Sequence, residues 1–360
     1  MKEKLEHNQK NIILIGIVCF VLWILAFYVF HVMNQTSVNK SWMIFTNPAL
    51  NYYELEEMIT SNKIVNLSKE VENYAAYKKS LWSISHLSVF YRNLNNWWSF
   101  WVNEKEEFSP ASLMKLPILI AYMKKSESMP WFLDQKVVYR KDTNLPDYKQ
   151  NIPPEEQLQE GQEYTIREIC EYMIKYSDNH ASSFLEKNIP FEDLQKTFTD
   201  IWISFPEFKN GQFDNNVKII EYASFLRILF NASYLNRKDS EKALQLLSKV
   251  EFHDWINQWI PENIPVSHKF GERGIIWPNW REEKQLHDCG IIYYPNHPYV
   301  LCVMTRWYDR DKLKETILEV SAMIYNEVKI QYWEDPLDTS NNGTENRLKS
   351  QVDDTQTTGE

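Results

Sequence analysis

Hydrophobic and polar positions divide the chain into three parts, and the first ends in an unbroken apolar run. From Ile12 to Val32 the only side chain able to carry a charge is that of His31. Those 21 residues, in a helix, are long enough to cross a hydrocarbon core of roughly 30 Å. Three lysines precede the run and favour a cytoplasmic N-terminus. The pattern predicts a cytoplasmic segment at 1–11, an uncleaved transmembrane signal anchor at 12–33, and a remainder outside the membrane.

The second part, residues 34–333, mixes helical and strand periodicity and is predicted to form one α+β domain. An early hairpin turns at Asn95-Asn96, a later strand covers PVSHKFGERG, and a second hairpin turns at Pro295 to Pro298. Early and late strands are expected to join one antiparallel sheet, with a helical middle packed beside it. The spacing of apolar residues predicts a helix starting at Ser112 and further helices at 47–79 (as one or two), 165–187, 190–200, 217–235, 239–249 and 311–331.

The third part, residues 334–360, is acidic and almost without apolar residues. It carries seven acidic residues against two basic ones, so it is predicted to be disordered. The whole chain has a formal net charge of −10, from 49 acidic and 39 basic residues. An excess of negative charge argues against nucleic acid as a partner.

Four cysteines do not by themselves predict a disulfide framework. Cys19 lies in the anchor and Cys170 in a helical stretch, while Cys289 and Cys302 flank the turn of the late hairpin. With the turn at Pro295 to Pro298, the expected register sets Cys289 and Cys302 diagonally rather than opposite each other. A location outside the cytoplasm permits a disulfide, but the pattern does not demand one.

The segment FSPASLMKLPILIAYMK, residues 108–124, contains the first candidate for chemistry. Ser112 and Lys115 lie three residues apart at the start of an apolar helix, so they share a face. Free N–H groups at a helix N-terminus stabilise an alkoxide, and an apolar setting favours the neutral amine that can take a proton from a serine. Taken alone, Lys115 is also typical of a snorkelling lysine. A second Ser-x-x-Lys at Ser37 shows how easily chance produces this spacing.

Two further motifs follow along the chain. Ser177-Asp178-Asn179 interrupts a helical pattern, and is typical either of a helix N-cap or of a proton relay beside an amide-binding side chain. Lys269 lies on a strand, and Gly271 would let another backbone approach that strand closely. Taken alone, this motif is equally typical of a charged edge strand with a bulge.

Together the three motifs resemble the set found in class A β-lactamases and penicillin-binding proteins. Their order is Ser-x-x-Lys, Ser-Asp-Asn, then Lys-x-Gly. The resemblance extends from about residue 45 to 330, and includes the segments FSPASLMKLPILIAYM and DCGIIYYPNHPYVLCVMT. It implies a β-lactamase/transpeptidase-like fold, in which N- and C-terminal strands form an antiparallel sheet packed against a helical subdomain.

The resemblance also implies a role for each motif residue. Ser112 would attack the carbonyl of a lactam or of a D-alanyl peptide to give an acyl-enzyme, with Lys115 as the base. Ser177 would pass a proton to the leaving nitrogen, and Lys269 would polarise Ser177 and attract a substrate carboxylate. No metal or organic cofactor enters this mechanism.

Binding of the substrate is implied for the neighbouring positions. Asn179 would hold the acylamide side chain. The oxyanion hole would be formed by the backbone N–H groups of Ser112 and Glu272, with Gly271 and Arg273 also in the substrate-binding set.

The chain departs from the family pattern in two places. The family's deacylating glutamate lies in an E-x-x-L-N pattern, and here only Glu207-Phe208-Lys209-Asn210 remains, so Glu207 is either that base or a solvated loop acid. Phe270 replaces a Thr or Ser that helps to bind the substrate carboxylate, and Glu272 adds negative charge beside it, while Arg273 could restore an anion anchor. Trp277 and Trp280 either cover a ligand at the cleft mouth or pack a long turn.

Three functional hypotheses follow from these residues. The first is a membrane-anchored extracytoplasmic serine hydrolase of the bacterial envelope, with a monomeric catalytic domain, that acts on β-lactams or on peptidoglycan-derived peptides. The second is a low-turnover penicillin-binding protein or DD-peptidase of the same family. The third is a catalytically idle homologue that binds peptidoglycan or a protein; the presence of all five motif residues, Ser112, Lys115, Ser177, Asn179 and Lys269, argues against it.

Overall fold

The computed structural model describes residues 61–95, 98–141, 152–209, 212–214, 216–276 and 281–333, with backbone only at 61–63, 207–209 and 212–214. All of them belong to the second of two compact units, residues 45–360. The predicted anchor at 12–33, the first part of the predicted helix at 47–79 and the acidic tail lie outside the described residues. Among the helices within them, none is both long and apolar enough to cross a membrane.

The described part of the chain contains both strands and helices. The strands are β1 (His86–Asn93), β2 (Ser99–Val102), β3 (Glu107–Phe108), β4 (Lys136–Val138), β5 (Glu163–Thr165), β6 (Glu207–Lys209), β7 (Gln212–Asp214), β8 (Val217–Lys218), β9 (Val266–Ile276), β10 (Glu282–Ile292) and β11 (Tyr299–Trp307). The α-helices are α1 (Ser61–Ser80), α2 (Lys115–Ser128), α3 (Ile166–Lys175), α4 (Asn179–Asn188), α5 (Phe191–Thr199), α6 (Ile219–Phe230), α7 (Arg237–Leu247) and α8 (Arg310–Trp333).

The main sheet joins the two ends of the described chain, which confirms the predicted antiparallel sheet. Its five strands have the order β2-β1-β11-β10-β9, and β1 pairs with β11 from His86↔Arg306 to Asn93↔Tyr299. Three small two-stranded ladders, β3-β8, β4-β5 and β6-β7, complete the pairing of the described strands. Since β9 lies at the edge of the main sheet, one side of its backbone is open to another segment.

Helix α2 runs through the middle of the helical part and explains its unbroken apolar sequence. Its residues from Lys115 to Met123 are all buried. A helix that is buried on all sides is covered by other elements, so the side chain of Lys115 lies in a poorly hydrated setting at the start of α2.

The late hairpin corrects the expected cysteine arrangement. Strands β10 and β11 end at Ile292 and Tyr299, which leaves a connection of six residues instead of the expected four. That two-residue difference moves Cys302 from the diagonal position to the position directly opposite Cys289. The two cysteines have Cα atoms 4.0 Å apart and form a disulfide, whereas Cys170 is a buried free thiol.

Candidate active site

Ser112 lies in a single 3-10 turn, Ala111–Met114, immediately before helix α2. Ala111 has φ of 50°, a left-handed conformation that costs a non-glycine residue about 1–2 kcal/mol. Strained backbone of this kind is concentrated at functional sites. The helix therefore starts three residues later than predicted, and half-buried Ser112 lies at the wall of an open cavity.

The segment that leads into Ser112 is fixed to the sheet through Ser109. The backbone N–H of Ser109 donates to Oε1 of Gln285 at 3.0 Å, and its carbonyl lies 2.9 Å from Nε2 of His287. Burial lowers the pKa of His287 to about 3, so its ring is neutral and Nε2–H donates to that carbonyl. Strand β10 thus holds the backbone just before the candidate nucleophile.

The amine of Lys115 is buried and surrounded by oxygen atoms. Its Nζ lies 2.6 Å from the carbonyl oxygen of Ser177, 3.1 Å from Oγ of Ser177 and 2.8 Å from Oδ1 of Asn179. Burial lowers the pKa of Lys115 to about 7, although the negative charges of Asp178 and Glu186 oppose the shift. A substantial fraction of this amine is therefore neutral at neutral pH and can accept a proton.

Ser177 lies between two buried amines. Its Oγ is 3.1 Å from Nζ of Lys115 and 3.0 Å from Nζ of Lys269. Ser177 is itself buried, and its φ of 56° is again left-handed. The structure thus joins the three sequence motifs at a single hydroxyl group.

Lys269 is fully buried on strand β9. Its Nζ donates to the carbonyl of Phe270 at 3.1 Å and lies 3.9 Å from the centre of the Phe270 ring. Burial lowers the pKa of Lys269 well below its ordinary value, the charge of Lys115 lowers it further, and Asp288 opposes both. Two ammonium groups on either side of one hydroxyl repel each other in a poorly hydrated site, so loss of a proton from one of them is favoured.

The Ser177-Asp178-Asn179 motif forms the helix N-cap that was one of its two predicted roles, and the proton relay with an amide-binding Asn179 stays a prediction. Asp178 is the N-cap of helix α4, because its Oδ1 accepts from the backbone N–H of His180 at 2.8 Å. Its Oδ2 accepts from the backbone N–H of Leu158 at 3.0 Å. The cap starts helix α4 at Asn179. The first turn of this helix therefore faces Lys115. It also explains why the structure divides the predicted helix at 165–187 into α3 and α4.

Gly271 brings strand β9 against the turn that carries Ser112. A Cβ atom on Gly271 would lie 2.8 Å from the carbonyl oxygen of Pro110 and 3.3 Å from the backbone nitrogen of Leu113. Only glycine allows this approach without movement of backbone. Strand β9 at Gly271 therefore packs directly against the turn that carries Ser112. The oxyanion hole at Ser112 and Glu272 stays a prediction.

Phe270 is a buried packing residue that also lines the cavity. Its ring lies 4.1 Å from that of Phe252 and 5.8 Å from that of Trp255, centre to centre. The aromatic side chain at this position extends the core toward the cleft, and the wall it forms is apolar.

Two charged residues follow on β9, and each has a partner. The carboxylate of Glu272 is bound by Arg310, with Nε at 3.1 Å and Nη2 at 3.4 Å. Nη1 of exposed Arg273 donates to Oγ of Ser109 at 2.5 Å. Arg310 offsets the negative charge of Glu272. The side chain of Arg273 therefore gives these two strand positions a net positive charge toward the cleft.

The remaining predicted positions are described only in part. Glu207 begins strand β6, which pairs with β7, and its side chain lies outside the described residues. Trp277 and Trp280 also lie outside them. The role of Glu207 stays a prediction.

The cavity has a volume of about 710 Å³, within the range of small-molecule sites. Ser112, Lys115, Ser177, Asn179, Phe270, Glu272 and Arg273 line it, and Ser182, Ser183 and Glu186 do so as well. The last three were missed by the sequence analysis. Their spacing from Asn179, at i+3, i+4 and i+7, is the signal that could have found them.

Within the described ranges, no group of three or more His, Cys, Asp or Glu side chains could hold a metal ion. The interpretation of a mechanism without metal or organic cofactor stays a prediction.

Comparisons with known proteins agree with this geometry. A family model described as "Beta-lactamase enzyme family" matches residues 66–328. The curated β-lactamase VEB-1 of Pseudomonas aeruginosa is 27% identical over 246 residues, which are 64% of this chain and 79% of that protein. These findings confirm the resemblance drawn from the three motifs.

Solved structures show the same fold at lower identity. The TLA-1 extended-spectrum β-lactamase superposes with a TM-score of 0.64 at 17% identity, over 74% of this chain and 99% of that one. A mutant of PBP-A, solved as an acyl-enzyme complex with penicillin G, superposes with a TM-score of 0.61 at 20% identity, over 74% of this chain and 97% of that one.

Proposed function

This chain belongs to the β-lactamase enzyme family and is a serine β-lactamase-like hydrolase, and we propose that β-lactams or D-alanyl peptides of the cell wall acylate it at Ser112. We further propose that its catalytic domain acts as a monomer outside the cytoplasm, anchored by residues 12–33. The proposal includes no nucleic-acid partner and no metal or organic cofactor.

The acylation step uses the residues that meet at Ser177. Neutral Lys115 takes the hydroxyl proton of Ser112 as Oγ attacks the carbonyl carbon. Backbone N–H groups of Ser112 and Glu272 stabilise the oxyanion. When the C–N bond breaks, Ser177 donates its proton to the leaving nitrogen, and the adjacent amines return a proton to Ser177. The product is an ester on Ser112.

One observation carries this proposal: the hydroxyl of Ser177 lies 3.1 Å from the amine of Lys115 and 3.0 Å from that of Lys269. Burying two amines side by side is unfavourable for folding. An idle binding protein gains nothing from the arrangement, whereas acyl transfer with a lysine as its base requires an amine that is neutral near pH 7.

Recognition of an anionic substrate is proposed to depend on Arg273. Arg310 offsets the charge of Glu272, and Phe270 offers no hydroxyl to a carboxylate. Weak binding of the substrate carboxylate favours slow turnover, so the low-turnover penicillin-binding protein or DD-peptidase is the second candidate function.

A fluorescent penicillin tests the proposal on the full chain in detergent-solubilised membranes. We expect a covalent fluorescent band, or rapid nitrocefin turnover if the ester is short-lived, and neither in Ser112→Ala. The matched control is Ser37→Ala, which removes the serine of the second Ser-x-x-Lys and should leave labelling unchanged. A wild-type chain that is neither labelled nor active on nitrocefin would overturn the proposal in favour of an idle binder.

A further inference from the structure

An ester on Ser112 must be removed before the enzyme can act again, and water is a poor nucleophile without a base. In the described part of the chain, three carboxylates line the cleft, namely those of Glu186, Glu272 and Glu282. Glu272 is bound by Arg310, and Glu282 lies 3.1 Å from the amine of Lys284. The contact of Glu186 is with a hydroxyl group, that of Ser182.

Glu186 is placed in the cleft by the periodicity of helix α4. Asn179, Ser182, Ser183 and Glu186 occupy positions i, i+3, i+4 and i+7, so they form one face of the helix. All four line the same cavity as Ser112 and Lys115. The first turn of this face contacts Lys115, where Oδ1 of Asn179 lies 2.8 Å from Nζ.

The carboxylate of Glu186 points back along that face. Its Oε1 accepts from Oγ of Ser182, one turn earlier, at 3.3 Å. Helical side chains lean toward the N-terminus of their helix, so the carboxylate extends toward Asn179 and the amine of Lys115. The charges of Lys115 and Glu186 influence the pKa of one another, which agrees with this direction.

The surroundings of the carboxylate suit a base. The residue is exposed to the open cleft, so water reaches it. The cleft walls desolvate the carboxylate and raise its pKa above the ordinary value, and both the hydrogen bond from Ser182 and the charge of Lys115 oppose that shift. The other charged groups that line the cleft are Glu272, Arg273 and Glu282 on the facing strands.

We propose that Glu186 is the general base that activates water for hydrolysis of the ester on Ser112, an inference that rests on the function proposed above. The water oxygen attacks the ester carbonyl carbon while Glu186 takes a proton from the water. The tetrahedral intermediate then breaks its bond to Oγ of Ser112, and Glu186 returns the proton to that oxygen. The products are a free carboxylic acid and the Ser112 hydroxyl.

Separate measurement of acylation and deacylation tests the proposal. The full chain in detergent is mixed with penicillin G, excess penicillin is destroyed, and the mass of the intact protein is followed with time. In Glu186→Gln we expect acylation within about threefold of wild type and a deacylation rate about 100-fold lower, so the adduct accumulates. Retained acylation shows that the variant is folded.

Two further variants isolate the effect. Glu192→Gln makes the same chemical change at an exposed position on helix α5 and should leave both rates unchanged. Glu207→Gln tests the base suggested by the sequence, and a deacylation rate lowered in Glu207→Gln but not in Glu186→Gln would assign the role to Glu207 instead. An unchanged deacylation rate in Glu186→Gln would overturn the role of Glu186 but not the proposed function. The same holds for a wild-type adduct that lives as long as a simple ester in water. Absence of any wild-type adduct and of nitrocefin turnover would overturn the proposed function instead.

Discussion

Buried amines dominate the site at the scale of single residues. Lys115 and Lys269 share the hydroxyl of Ser177, and both have pKa values lowered mainly by burial. In solution a lysine is protonated at every physiological pH. Burial therefore supplies the neutral protonation state that the sequence motif alone does not specify.

The pH dependence of acylation follows from Lys115. Its pKa of about 7 means that the amine is protonated below pH 7 and unable to accept the Ser112 proton. We expect the acylation rate to rise with pH through about 7 and level off above 8, with a value at pH 6 about tenfold below the plateau. Rapid-quench mass spectrometry across pH 5.5–9 measures it, with circular dichroism to check folding at each pH.

Substitution of the same residue provides the control. Lys115→Arg keeps the positive charge but cannot lose its proton, and should lower acylation by about a thousandfold. Lys124→Arg makes the same change on helix α2 outside the cleft and should have no effect. Acylation that does not vary between pH 6 and pH 9 would contradict the role of Lys115.

At the scale of elements, the proposed oxyanion hole depends on the packing of strand β9 against the turn before helix α2. Gly271→Ala would place a methyl group 2.8 Å from the carbonyl oxygen of Pro110, and a backbone atom cannot rotate away. We expect acylation by penicillin to fall about 100-fold, with a lower melting temperature. Acylation kinetics and thermal unfolding measure the two effects.

Gly274→Ala is the matched control on the same strand. A methyl group there meets the side chain of Glu282, which is exposed and free to change rotamer. Acylation within about twofold of wild type is expected. Equal losses in the two variants would show that β9 does not position the oxyanion hole through Gly271.

The same strand and hairpin show how far sequence could predict elements. Alternation and turn residues predicted the strands of the main sheet, because one face of each strand must be buried. The register of β10 and β11 was wrong by two residues, since Pro295 to Pro298 does not determine where pairing stops. The β4-β5 ladder was missed because its two strands have only three residues each.

The residues of the cleft were also predicted only in part. Motif order identified residues such as Ser112 and Lys269, whose chemistry is recognisable without a structure. Phe270 packing on Phe252, and Arg310 pairing with Glu272, depend on contacts between distant segments. Glu186 was overlooked because helix α4 has a short, polar sequence in which an exposed glutamate is unremarkable until the neighbouring elements are present.

At the scale of the whole molecule, the disulfide bears on where the catalytic domain operates. The disulfide between Cys289 and Cys302 links the two strands of the late hairpin, β10 and β11. Disulfides persist in oxidising compartments. The N-terminal apolar run with its basic flank predicts the same side of the membrane for residues after 33. Two independent features of the chain therefore favour an extracytoplasmic domain.

Fractionation of cells that express the full chain tests the anchor. Because 21 uncharged or nearly uncharged residues precede the catalytic domain, we expect the protein to stay with membranes after an alkaline carbonate wash, and a membrane-impermeant fluorescent penicillin to label it in intact cells. Deletion of 12–33 should remove the membrane association, whereas deletion of the acidic segment 334–360 should not. A wild-type chain released by carbonate, or labelled only after lysis, would contradict the predicted anchor or its orientation while leaving the chemistry at Ser112 intact.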